Sequence, residues 1–141
     1  MRRIIIHHSL TIDRKTLSWS AIRNYHIQHN GWLDIGYHAG IEMVGNEYEC
    51  LYGRPTTMDG AHTAGANYDS LGFCFVGNYD RVQPSPEMLA IACRRVLAPW
   101  IINFNIKLDN VKPHRDFADK SCPGKLFDMD DLRSMLEASL T

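Results

Sequence analysis

No stretch of this chain holds the ~20 consecutive apolar residues that a membrane-crossing helix requires. Nor is there an excess of either charge: 15 Lys and Arg face 16 Asp and Glu, a net charge of −1 with a pI near 6.6. That balance excludes a nucleic-acid binder working through bulk charge, and a polybasic membrane anchor. The N-terminus offers two arginines and then only Ile4, Ile5 and Ile6 before His7. A secretory signal needs roughly 7–15 apolar residues and a small-residue cleavage site. The sequence therefore predicts a protein made in the cytosol without an export address. The four cysteines, at 50, 74, 93 and 122, lack the close spacing of a disulfide scaffold or a zinc knuckle. Repeats, low-complexity segments and linkers are absent too. What remains is 141 residues, 45% apolar and 22% charged, the balance of one ordinary globular domain spanning 1–141.

Residues 2–6 read as a short strand buried on both faces. Ser18 is placed to cap a helix running to about Asn30, with Trp19, Ile22, Tyr25 or His26, and His29 on one stripe and Gly31 as its stop. Tyr37–Val44 and Glu47–Tyr52 follow as two strands joined by a Gly45-Asn46 turn. Residues 53–70, rich in Gly, Thr, Asn and Asp, read as a long loop, and Leu71–Val76 as a third apolar strand. Ser85-Pro86-Glu87 combines a capping residue, a proline at the first helical position and an acid in the first turn. Pro99 is expected to kink or end the helix that starts there. A short strand near residues 110–112 and a last helix opened by Asp128 or Asp130 complete the chain. The expected fold class is α/β, with a single mixed central sheet flanked by helices.

Histidine is the residue in surplus, with seven at positions 7, 8, 26, 29, 38, 62 and 114. His7 ends the first strand, where a side chain can project into a cleft. Strand side chains alternate faces, so His7 and His8 cannot share one site. His114 and Cys122 stand eight residues apart on a loop, which lets a neutral imidazole and a thiolate converge on zinc. Three protein ligands leave a fourth position for water, the arrangement of a catalytic zinc site. Cys50, Cys74 and Cys93, in apolar strand or helix context, read as free thiols.

These residues carry a resemblance. Ile5-Ile6-His7-His8-Ser9-Leu10-Thr11, Gly31-Trp32-Leu33-Asp34-Ile35-Gly36-Tyr37-His38, Gly60-Ala61-His62-Thr63-Ala64-Gly65-Ala66-Asn67 with the strand that follows, and His114 through Cys122-Pro123 stand in order along residues 4–123. Together they resemble the type 2 N-acetylmuramoyl-L-alanine amidases, the family of phage amidase lysozymes and peptidoglycan recognition proteins. The resemblance implies that fold. It makes His7, His114 and Cys122 ligands of one zinc ion per chain. It also makes Tyr37 and Lys120 catalytic, and places His62, Thr63 and Asn67 along the substrate groove.

The implied reaction is hydrolysis of the amide bond between N-acetylmuramic acid and L-alanine in peptidoglycan. Zinc would lower the pKa of its water to ~7, Lys120 would steady the oxyanion, and Tyr37 would orient the water or pass its proton on. The implied partner is peptidoglycan or a muropeptide, with no nucleic acid and no membrane insertion. The recycling amidases of this superfamily usually carry Asp where Cys122 stands. That favours a phage or prophage endolysin, made in the cytosol and acting on the wall after release. Two other readings stand beside it: a non-catalytic recognition module, and an amidase that also binds a protein partner such as an RNA polymerase.

Overall fold

The computed structural model describes residues 1–10 and 18–141 of the chain. Thr11, the last residue of the first motif, lies outside the described residues. Ile4, Ile5 and Ile6 are wholly buried in β1 (Arg3–His8). A strand with β-branched side chains on both faces belongs in the middle of a sheet. β1 accordingly lies between two parallel neighbours, β4 (Ser70–Phe75) and β5 (Val111–Pro113). β2 (Ala39–Val44) runs parallel to β4 on its far side, and β3 (Glu47–Tyr52) returns antiparallel through a turn where Gly45 takes φ +63°. The sheet order is β3-β2-β4-β1-β5, one mixed α/β sheet as expected.

Capping residues mark the helix starts. Ser18 Oγ accepts from the Ala21 N–H at the head of α1 (Trp19–Gln28), and Gly31 lies just past its end at φ +72°. Ser85 Oγ accepts from the Met88 N–H to open α2 (Pro86–Ala92). The carboxylate of Asp128 accepts from the N–H groups of Asp130 and Asp131 to open a C-terminal helix, Met129–Ser139. Pro99 does not end the second helix. A π-helical turn at Cys93–Leu97 widens the backbone, and the Ala98 N–H reaches back to Cys93 O. Pro99 then falls in the first turn of α3 (Ala98–Phe104), where a missing N–H is tolerated. The stop is Asn105, left-handed at φ +53°. The C-terminal helix, α4, is tied to the sheet where Arg133 Nε and Nη2 donate to Val111 O at 3.1 and 2.8 Å.

Some boundaries differ from the sequence expectation. Tyr37 and His38 precede β2, and β1 continues through His8. The two faces of the sheet are unequal. Ile4, Ile6, Leu71, Phe73 and Phe75 meet α2, α3 and α4 in the main core. The other face carries a smaller cluster of Trp19, Ile22, Ile35, Cys74 and Val76, covered by α1 and loop. His7, two residues beyond Ile5, belongs to this thinly covered face. That is where the functional residues gather.

Candidate functional site

β1 delivers His7 at its C-terminal end, and β5 runs directly into a 3-10 turn that starts with His114. Cys122 comes back on the loop that follows, held where the Arg115 N–H donates to Cys122 O at 2.8 Å. The ligand atoms of His7, His114 and Cys122 all lie within 4.8 Å of one another. His7 turns Nδ1 to Cys122 Sγ at 3.9 Å, and its ring centroid sits 4.5 Å from that of His114. Nitrogen and sulfur donors of this kind are those that zinc takes, and these three would hold one ion.

The electrostatics suit a dication. Burial pushes His7 well below its usual pKa, assisted by the charges of His62, His114, His8 and Lys120. His114 is lowered first by burial and then by Lys120. Both imidazoles are therefore neutral at pH 7, the form that ligates metal. Burial pushes the Cys122 thiol up to about 11. Three features oppose that rise: the His8 N–H directed at the sulfur at 3.3 Å, and the positive charges of Lys120 and Arg115. A buried sulfur with a backbone donor aimed at it becomes a thiolate once a cation arrives. The residues present fit a bound zinc.

Tyr37 lies beside the triad, its ring centroid 5.1 Å from that of His7. Burial holds its hydroxyl well above the usual phenol pKa, and it hydrogen-bonds with the thiol of Cys74, the residue level with His7 on β4. Lys120 is exposed, and its charge is felt at His7, His114 and Cys122 alike. His8 points the other way, as alternation requires, and its Nδ1 accepts from the Tyr79 N–H. His38 holds backbone: Nδ1 accepts from the Gly72 N–H and Nε2 donates to Met58 O. His26 packs on Trp32 and accepts from the Gly36 N–H, while His29 stacks on Tyr25. No cysteine is paired among the described residues.

The three residues expected along the groove also make contacts within the protein. Thr63 is only 2% exposed, with its hydroxyl at His62 Nδ1 and His7 Nε2. Asn67 spends Oδ1 on the N–H groups of His62 and Thr63. His62 sets Nδ1 2.9 Å from His7 Nε2, and burial lowers its pKa to about 3. These contacts hold the loop and His7, while His62 and Asn67 stay partly exposed. Sequence reasoning missed this because 55 residues separate His7 from His62 and neither motif announces the contact.

A family model described as N-acetylmuramoyl-L-alanine amidase matches residues 1–125. The chain belongs to that family. This amidase is 30% identical over 122 residues to the endolysin of Enterobacteria phage T3, covering 85% of this chain and 78% of the relative. It is 32% identical over 126 residues to peptidoglycan-recognition protein SC1a of Drosophila melanogaster, covering 85% and 66%. Its fold superposes on the N-acetylmuramoyl-L-alanine amidase LysC from Clostridium intestinale URNW with a TM-score of 0.82 at 25% identity, covering 96% of this chain and 85% of that one. The amidase fold and activity expected from the sequence follow from these matches.

Proposed function

We propose that this amidase is a zinc-dependent phage or prophage endolysin that cuts the bond between N-acetylmuramic acid and L-alanine in peptidoglycan. The observation that carries the reading is the His7–His114–Cys122 cluster, assembled from two ends of the chain on buried, neutral imidazoles and a thiol. A zinc ion held by these three supplies Lewis acidity and lowers the pKa of water to about 7. Around it, Tyr37 keeps its proton at neutral pH and offers its hydroxyl as a donor and orienter of the attacking water. Lys120 lays a positive charge where the carbonyl oxygen becomes negative. Water adds to the lactyl carbonyl carbon, the C–N bond breaks, and the alanine amine leaves with a proton. The loop bearing His62, Thr63 and Asn67 forms one wall beside the site, facing the glycan-peptide. In this reading the enzyme meets its substrate at the bacterial wall.

The recognition-protein relatives favour a second reading, a module that binds peptidoglycan without cutting it. A complete donor set beside an intact Tyr37 and Lys120 supports the enzyme. The test is metal analysis of purified protein, together with mass spectrometry of digested sacculi. About one zinc per chain, reversible loss of cleavage on chelation, and loss of most metal in Cys122→Ser are expected. Wild-type zinc content in Cys122→Ser removes that residue from the site. No cleavage by the metal-loaded wild type on several wall chemotypes sinks the enzyme reading.

A further inference from the structure

The hydrogen bonds behind His7 have a direction, and it can be followed from the far end. The Ala66 carbonyl can only accept, so the hydroxyl 2.6 Å from it, Ser70 Oγ, donates its proton there. That leaves the Ser70 oxygen to accept from His62 Nε2 at 3.4 Å. With its proton on Nε2, the neutral His62 ring presents a bare lone pair at Nδ1. His7 Nε2 lies 2.9 Å from that lone pair, so His7 carries its proton on Nε2. Its own Nδ1 is then the unprotonated nitrogen, and it is the one turned to Cys122 Sγ. Thr63 Oγ1 lies 2.9 Å from His62 Nδ1 and 3.4 Å from His7 Nε2, packed against the same pair of nitrogens.

We infer that His62 is a positioning residue, which fixes the tautomer and ring angle of His7 so that Nδ1 faces the metal. The claim rests on the metal reading above. It assigns His62 a partner inside the protein in place of one in the substrate. The surroundings of the ring are built for this. A Cβ on Gly60 would come within 2.5 Å of the His62 ring, and one on Gly72 within 2.6 Å. Both glycines therefore make the slot in which the imidazole sits. Asn67 Oδ1 pins the backbone on either side of the ring by accepting from the His62 and Thr63 N–H groups at 2.9 and 2.8 Å. Metal-bound histidines commonly hand their second nitrogen to an acceptor, and losing it costs about 10–100-fold in metal affinity.

The experiment measures zinc affinity by chelator competition, and the His7 tautomer by long-range 1H–15N NMR, on the full chain. In wild type with zinc, His7 is expected to show a proton on Nε2 and coordination through Nδ1. His62→Phe keeps a ring in the slot without an acceptor, and should weaken zinc binding about 10–100-fold. His62→Gln, whose Oε1 can accept, should recover most of that loss. Coordination of wild-type His7 through Nε2 overturns the inference, as does zinc binding by His62→Phe equal to wild type. The NMR result on wild type decides the matter even if a variant fails to fold. A wild type that binds no zinc overturns the metal reading and this inference with it. Tight zinc binding that ignores His62 overturns the inference alone.

Discussion

Replacing Tyr37 by Phe removes one oxygen and leaves everything else that the ring does. The ring centroid lies 5.1 Å from that of His7, 5.9 Å from that of His26 and 6.2 Å from that of Trp19, and phenylalanine keeps all three contacts. The hydroxyl's hydrogen bond with Cys74 is lost, a neutral pair whose net worth is about 1 kcal/mol or less. The fold and the metal should therefore survive, since Tyr37 is not among the three clustered donors. Turnover is another matter. A preorganised donor aimed at developing charge is worth about 3–4 kcal/mol, which is a fall of roughly 10²–10³ in kcat. If the hydroxyl acts only in the transition state, binding to sacculi changes little. The assay is release of new N-terminal L-alanine from purified sacculi, with zinc measured on the same samples. A kcat within about threefold of wild type at full zinc content would refute the role. Loss of zinc in Tyr37→Phe would instead show that the division between donors and Tyr37 is wrong.

Lys120→Ala, on an exposed residue, should leave the unfolding midpoint unchanged and lower kcat about 10²-fold, read in the same alanine-release assay. Acid should destabilise the metal-free protein. His7, His8, His26, His38, His62 and His114 all have pKa values lowered by burial, so between the ordinary histidine value of 6.5 and their folded values the unfolded chain binds more protons. Stability is thus full above pH 6.5 and falls as pH drops, by up to about 1.4 kcal/mol per unit per histidine; a flat urea-unfolding profile from pH 7 to 5 contradicts this. Gly40→Ala puts a Cβ against Trp19 and 2.7 Å from the Cys74 carbonyl, which cannot move without disturbing β4. A cost of about 3 kcal/mol, near 10 °C in Tm by calorimetry, is expected.

The parts of the fold that could be read from sequence are those set by neighbours in the chain. Ser18, Ser85 and Asp128 cap helices through bonds to residues two or three positions on, and the Gly45 turn needs only its own backbone freedom. The clustered trio His7, His114 and Cys122 was visible too, because each lies within a motif carrying the family resemblance. Pro99 misled because its effect depends on a π-helical turn several residues earlier. Tyr37 and His38 look like strand because their backbone makes ladder-like bonds to Arg54, Gly53 and Gly72 just before β2 begins. The orientation of His62 was out of reach. It is decided by glycines 60 and 72 and by His7, and no local pattern encodes a ring slot between two loops and a strand.

The parallel pairing of β5 beside β1 also sets when the donor set can first assemble. His7 and Cys122 are separated by 115 residues of chain. A growing polypeptide therefore cannot complete the donor set until everything from β1 to the loop bearing Cys122 has been made. Even then, β5 must dock beside β1, and Arg133 of α4 reaches across to the Val111 carbonyl on that same strand. Long-range closures of this kind come late, because chain entropy is lost before any contact repays it. Assembly of the donor set is thereby tied to the docking of β5 beside β1, the same pairing that brings His114 to His7.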